Sequence, residues 1–280
     1  MSNRPSILIR TKNEARSLGT TLQAVFEQSV RAEEVLVLDS GSTDGTLDVA
    51  ARFPVRVITM PASEWSYPKA LNVGFDAATG NVVVCLSAHC RPMTIRWLEL
   101  LVRHFDDPAV AGTWGAEIFS DRGRIEPGPP RIQEPGHYGS EYAAFGLSNA
   151  NSAIRRSVWE QVPFDESLPA AEDRAWGLAV LRAGYRIVYE PAAAVRHELH
   201  GFAREYKRDR AVLEGLSSLF PETHTSFTGN LKRLLASARR ILADQLRNPN
   251  RHEVWRLAKR IPVNLSTLGR TKQRRHNNEP

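Results

Sequence analysis

The ten residues Val37-Leu38-Asp39-Ser40-Gly41-Ser42-Thr43-Asp44-Gly45-Thr46 hold the densest chemistry in the chain. They start inside the apolar run 35–38 and lead into a helix-like segment at 47–52. Two carboxylates, two glycines and four hydroxyls therefore fall at the carboxyl end of an expected strand. In an open α/β sheet, ligands bind in that crevice. Asp39, the last strand residue, can accept hydrogen bonds from a base edge or a ribose. Gly41 and Gly45 allow φ > 0 where a tight turn demands it, and Thr43 or Asp44 caps the next helix. A polar strand-to-helix turn with a good cap explains the same residues without a ligand.

Other reactive groups recur at similar places. Thr11, Asn13 and Glu14 follow the first strand, where Asn also reads as a helix cap and Glu as a first-turn acid. Ser87-Ala88-His89-Cys90 follows the most apolar strand. Glu172 and Asp173 open a helix whose dipole favours carboxylates, which suffices as a structural explanation. Asn149 and Asn151 carry amides that both donate and accept. Lys69 starts a helix and reaches a phosphate or only solvent. Arg174 holds an anion or a neighbouring acid, and Trp176 offers a stacking face or fills the core. Trp65 and Tyr67 line a pocket or pack a turn.

The elements that must position these groups alternate. Strands are expected at 6–11, 35–38, 55–60, 82–87, 110–116 and 186–190. Helical patterns cover 15–28, 69–78 (ending at Gly80 as a cap glycine), 97–105 and 172–183. Such alternation predicts an α/β fold, a mostly parallel sheet covered on both faces. Between Phe119 and Gly146 the pattern breaks into a Pro- and Gly-rich stretch, and 125–139 reads as a lid. After 200 the chain turns helical. Leu231, Leu234, Leu235, Ala238, Ile241, Leu242 and Leu246 form an apolar stripe with Lys232, Arg233, Arg239, Arg240 and Arg247 on other faces. That stripe packs on the parent domain or lies on an anionic membrane surface. The expected domains are 1–200 and a basic helical extension, 201–280, with a disordered tail from 270.

Composition bounds the class. The 280 residues are 42% hydrophobic and 24% charged, with a net charge of +6. The charge is uneven: residues 201–280 carry 17 Lys and Arg against 7 Asp and Glu, while 1–200 carry 20 against 24. No apolar run reaches the roughly 18 residues of a membrane span, and the first residues lead straight into a strand, not a signal peptide. Cys85 and Cys90 are the only cysteines; this predicts a reduced, cytoplasmic setting with neither disulfides nor a thiolate metal site. A basic tail without an aromatic-rich basic surface argues against nucleic acid as a partner.

Taken together, the motifs resemble those of the family 2 glycosyltransferases, which use the GT-A fold. Thr11-Lys12-Asn13-Glu14 stands where that family has its first nucleotide-binding loop, Leu38 to Thr46 its second, and Lys69 to Gly80 its third. Ser87-Ala88-His89 occupies its DxD site, Asn149 to Arg156 its acceptor-side loop, and Glu172-Asp173-Arg174-Ala175-Trp176 its acidic-and-aromatic motif. The match covers about residues 5–200, and Asp39-Ser40-Gly41-Ser42 is similar to the subgroup that includes bacterial rhamnosyltransferases.

The resemblance implies an inverting transfer of a hexosyl or deoxyhexosyl group from a nucleotide diphosphate sugar to a glycan or lipid-linked acceptor, as in polysaccharide or glycolipid assembly. It assigns Asp173 as base with Glu172 beside it. Thr11, Asn13, Glu14, Asp39, Ser40, Ser42, Lys69, Asn72, Ser87 and Arg174 fall on the donor side. Asn149, Asn151 and Trp176 fall on the acceptor side. The sequence departs from the family at the DxD site, where His89 replaces the metal-binding aspartate. With His197 it forms an expected site for a divalent cation, Mn²⁺ before Mg²⁺, since Mg²⁺ prefers oxygen donors; alternatively, His89 serves the phosphates without metal, as a cation or a hydrogen-bond donor. Position 71, where the family commonly has Arg, is Leu, and Lys69 is the nearest substitute. The loss of both DxD aspartates also supports a second reading, a non-catalytic nucleotide-sugar-binding or scaffold protein. The expected location is cytoplasmic, with or without peripheral contact at the inner face of the cell membrane.

Overall fold

The computed structural model describes residues 3–119, 128–136, 146–199 and parts of 208–219. The chain divides into two compact units, Met1–Glu198 with Arg208–Pro221 and Leu199–Lys207 with Glu222–Pro280. The expected helical stripe, the tail and the ends of the expected lid lie outside the described residues. No helix among the described residues is long and apolar enough to cross a membrane.

In chain order the first half is β1 (Pro5–Thr11), α1 (Leu18–Phe26), β2 (Glu34–Asp39), α2 (Thr46–Ala50), β3 (Arg56–Thr59), α3 (Tyr67–Ala77) and β4 (Val82–Ser87). The second half is β5 (Cys90–Pro92), α4 (Trp97–Val102), a short 3₁₀ turn, β6 (Val110–Ile118), β7 (Arg131–Gln133), β8 (Asn151–Arg155), α5 (Arg156–Trp159), α6 (Glu172–Arg182) and β9 (Arg186–His197). They build one sheet in the order β3-β2-β1-β4-β8-β6-β9-β5, with β7 also paired to β9. The β3-β2-β1-β4 half is parallel. Beyond β4 the sheet is mixed: β8 runs antiparallel to β4 and β6, and β6 runs parallel to β9.

Both faces are buried, as the near-continuous apolar strands require. Side chains alternate along each strand, so Ile7 and Ile9 of β1 join Val35, Val37, Val84, Leu86, Leu18 and Trp97 in one cluster. Leu8 joins Leu36, Leu38, Val83, Phe75, Leu71 and Trp176 in the other. Arg10 follows on the Leu8 side, at the carboxyl edge.

Several expectations change at this level. The Pro- and Gly-rich segment is not wholly irregular, because Arg131–Gln133 pairs antiparallel with β9. Cys90–Pro92 forms an unanticipated strand against the end of β9. Gly80 is not the helix-cap glycine; α3 already ends with Ala78 in an extended conformation. A Cβ at Gly80 would lie 2.3 Å from the Arg4 carbonyl oxygen, so close backbone approach explains the residue. Gly41 and Gly45 do adopt φ of +86° and +87°. Gly45 itself occupies the cap position of α2, and Asp44 accepts from the Thr46 N–H at 3.1 Å.

The register of β6 against β9 shifts between Gly115 and Glu117. A Cβ at Gly115 would sit 1.8 Å from the Ala193 carbonyl oxygen, a backbone clash that no rotamer relieves. Gly115→Ala should therefore cost at least about 3 kcal/mol, the upper part of the usual overpacking range. Urea denaturation checks this, and a loss under about 1 kcal/mol contradicts the close packing of β6 on β9.

Candidate active site

The turns after β1 and β2 are sewn together at the carboxyl edge of the sheet. Asn13 N–H donates to Ser42 Oγ and Thr43 N–H to Asn13 Oδ1, each at 2.8 Å. Glu14 N–H donates to Thr46 Oγ1 at 2.8 Å, Ala15 N–H to Asp44 at 3.1 Å, and Ser40 N–H to the Thr11 carbonyl at 3.1 Å. Asn13 is thus a bridge and not a helix cap; Ser17 precedes α1. Asp39, 2% exposed, accepts from the N–H groups of Gly41 and Ser42 at 2.9 Å each and from the Ser42 hydroxyl. A carboxylate offers about four lone-pair positions, and three of them are taken by these donors. The Thr11 hydroxyl is buried without a partner.

Beside this edge lies a second cluster. Arg10, which sequence reasoning passed over, donates to the Asn149 carbonyl at 3.2 Å and pairs with Glu172 at 3.7 Å. Its guanidinium lies 6.0 Å from the centre of the Tyr67 ring, which meets Trp65 edge-on. The signal was available: a charged residue one position before the end of a strand buried on both faces. The adjacent acids divide in exposure. Glu172 is buried, whereas Asp173 is half-buried and held by the N–H groups of Asn149 at 3.2 Å and Arg174 at 2.7 Å. Burial pushes the Glu172 carboxyl up to about 7, the Asp173 charge adds to the rise, and Arg10 opposes it.

Imidazoles and acids form a third cluster. His89 Nδ1 lies 3.2 Å from Glu14 Oε1, and His197 Nδ1 lies 2.6 Å from Glu117 Oε2. The two rings are 4.9 Å apart, and Phe119 stacks on His197 at 4.7 Å. Burial works against the Glu117 charge. The His197 contact, the Ser148 hydroxyl and the Arg174 charge outweigh it and hold the carboxyl below its ordinary value. Cys90 completes the group: donor atoms of His89, Cys90 and His197 all lie within 4.8 Å of one another. Nitrogen and sulfur donors of this kind fit a divalent cation that accepts imidazole. His197 Nε2, buried and without a hydrogen-bond partner, is an atom such an ion would occupy.

Other expected site residues have partners within the fold, with Arg174 Nη1 and the Asn149 side-chain amide nitrogen as exceptions. Lys69 pairs with Glu64 at 2.9 Å near the surface. Asn72 accepts from the Trp159 indole and the Phe164 N–H, and donates to the Phe164 carbonyl and Glu166. Asn151 is fully buried, accepting from the Trp97 indole and donating to the carbonyls of Ala116 and Ala193. Trp176 is core, its indole donating to the Val162 carbonyl at 2.7 Å. Asn149, 1% exposed, accepts from the Ser152 hydroxyl at 3.0 Å. Ser87 is half-buried at the end of β4, its N–H bonded to the Ala150 carbonyl at 3.2 Å. Arg174 Nη1 is buried and unpaired.

Glu172 yields a pH prediction. Its folded carboxyl titrates above its ordinary value, so between about 4.5 and about 7 the folded state binds the extra proton and stability falls as pH rises. Glu172→Gln should flatten that fall relative to the parent protein in urea titrations at several pH values. An unchanged slope contradicts the burial argument.

Sequence comparison matches residues 6–162 to the model described as "Glycosyl transferase family 2". The O-antigen chain rhamnosyltransferase RfbN of Salmonella typhimurium is 23% identical over 71% of this chain and 68% of its own. The glycosyltransferase AglE of Haloferax volcanii is 27% identical over 87% and 82%. Among solved structures, the mannosyltransferase PcManGT of Pyrobaculum calidifontis, in complex with GDP-Man and Mn²⁺, superposes with a TM-score of 0.61 at 20% identity, covering 97% of this chain and 83% of that one.

Proposed function

The chain belongs to glycosyl transferase family 2, and we propose that it moves a hexosyl or deoxyhexosyl group from a nucleotide diphosphate sugar to a hydroxyl of a glycan or lipid-linked acceptor, with inversion. One juxtaposition carries the reading: Glu172 and Asp173 are tied through Arg10 and Asn149 to the end of β1, the strand whose turn is bonded to the Asp39 loop. Donor-gripping groups and a candidate base thus share one edge.

In this reading the stitched turns seat the base and ribose, with Thr11, Asn13, Glu14, Ser40 and Ser42 shaping the pocket and Asp39 meeting the base. Asp173 takes the proton of the acceptor hydroxyl. The acceptor oxygen attacks the anomeric carbon as the bond from that carbon to the diphosphate oxygen breaks, so one displacement inverts the centre. Glu172, buried against Arg10, braces the loop instead of meeting substrate, and Arg174 Nη1 is a donor available to phosphate. A divalent cation held by His89 and His197 would supply positive charge for the departing diphosphate. Relatives and fold neighbours that act on sugars support the substrate class.

Asp173→Asn keeps the shape and both N–H contacts but removes the basic carboxylate. Transfer should fall about 10²–10⁴-fold, the usual contribution of a general base. The melting-point rise given by the best nucleotide sugar of a panel should stay close to that of the parent protein. Turnover near the parent rate in this variant removes the base assignment.

A further inference from the structure

We propose that His89, Cys90 and His197 form a binding site for a borderline-soft divalent cation of the Zn²⁺ and Co²⁺ class, in preference to Mn²⁺ or Mg²⁺, with Glu14 and Glu117 orienting the two imidazoles. The inference deepens the transferase reading and rests on it for the cation's purpose.

Four features carry it. First, each imidazole turns Nδ1 to a carboxylate, His89 to Glu14 at 3.2 Å and His197 to Glu117 at 2.6 Å. Metal-bound histidines almost always give their other ring nitrogen to such a partner, which fixes the tautomer and leaves Nε2 as the lone-pair atom. Second, His197 Nε2 is buried with no hydrogen-bond partner, an arrangement that costs free energy unless something binds there. Third, Cys90 lies directly opposite His197 across the β5–β9 ladder, so the two side chains share a face. Its donor atom falls within 4.8 Å of both imidazoles. Fourth, the His197 ring is fixed from the side by Phe119, and the Glu117 carboxylate is itself anchored by the Ser148 hydroxyl at 2.6 Å.

The donor types decide the metal. Imidazole and thiolate favour Zn²⁺ and Co²⁺, whereas carboxylate, carbonyl and water favour Mg²⁺ and Mn²⁺. Two imidazoles and a thiolate are three protein donors, the number found in catalytic rather than structural sites, and a bound ion would supply positive charge for a phosphate oxygen. Binding requires the thiol to lose its proton to solvent, so uptake releases acid. Glu14 and Glu117, one hydrogen bond behind the rings, provide the negative charge that the neutral imidazoles lack.

The test uses the full-length chain, stripped with EDTA and dialysed against equal concentrations of Zn²⁺, Co²⁺ and Mn²⁺ in turn. Elemental analysis should find stoichiometric Zn²⁺ or Co²⁺ and little Mn²⁺. The Co²⁺ form should show a thiolate-to-metal charge-transfer band that Cys90→Ser removes. His89→Ala and His197→Ala should abolish retention. Glu117→Gln, a near-isosteric change that leaves the donors in place, should weaken Co²⁺ binding about 10–100-fold. Better retention of Mn²⁺ than of Co²⁺, no retention at all, or bound Co²⁺ without the thiolate band overturns the inference. Thermal-shift titration with UDP and GDP in chelator reads the donor site separately. Nucleotide binding without Zn²⁺ or Co²⁺ uptake defeats the cation assignment and leaves the transferase reading standing. Uptake without response to either nucleotide upholds the cation site and counts against the reading of its purpose.

Discussion

An ionised carboxylate cannot be buried without partners, because the desolvation cost exceeds the stability of a whole domain unless charge or hydrogen bonds compensate. The carboxyl edge of this sheet buries Glu14, Asp39 and Glu172 and largely covers Glu117. Each is accommodated differently. Asp39 takes N–H groups from its own turn, Glu14 and Glu117 each take an imidazole, and Glu172 takes Arg10 while shifting toward its neutral form. The rest of the edge follows from these pairings. Every acid fixes the loop that carries its partner, so the turns after β1, β2 and β4 and the start of α6 are locked to one another.

The locking sustains backbone that would otherwise relax. Among the described residues, Asn13 and Ala171 alone adopt positive φ without being glycine, at +55° and +64°. For a residue with a Cβ this costs about 1–2 kcal/mol, and it persists only where surrounding bonds over-determine the conformation. Asn13 immediately precedes Glu14, and Ala171 immediately precedes Glu172. At Asn13 the compensation is explicit, two hydrogen bonds to the neighbouring turn. At Ala171 the following pair of acids is held by Arg10 and the Asn149 N–H. Free energy from pairing buried charge is thus spent on presenting two acids at fixed angles, which is what pre-organisation for a reaction requires.

Much of this was legible in the sequence. Near-continuous apolar runs alternating with helical segments, and the glycines after Asp39, announce strands of an α/β sheet ending in tight turns, and both glycines take the conformation that only glycine enters freely. The residues that escaped lack a local signature. Arg10 reads as a charged interruption between Ile9 and Thr11, and its partners are 139 and 162 positions away along the chain. Glu117 faces His197 only because the β6–β9 register slips after Gly115, and alternation counted along β6 does not show a slip. The strands at 90–92 and 131–133 are too short for periodicity to register. Asn151 and Trp176 show the converse limit. An amide or indole that binds a sugar and one that bonds a backbone carbonyl have the same letter, and burial decides between them.

Having His89 where the family resemblance sets an aspartate would also redistribute charge around a bound cation. An aspartate contributes its negative charge directly beside a bound ion, whereas a neutral imidazole contributes none. Here two acids stand one hydrogen bond further out, Glu14 behind His89 and Glu117 behind His197, so around a cation on the proposed donors part of the negative charge would be displaced outward, with only the Cys90 thiolate directly against it. A cation on the proposed donors would have one negative charge directly bound, that of the Cys90 thiolate, and would present more of its own charge to a phosphate oxygen than one ringed by several carboxylates, because Coulomb attraction falls with distance. The same arrangement makes retention depend on ring orientation, which the carboxylates control through Nδ1. Such a donor set would trade charge-based retention for directional nitrogen and sulfur bonding, and the proposed metal preference rests on that trade.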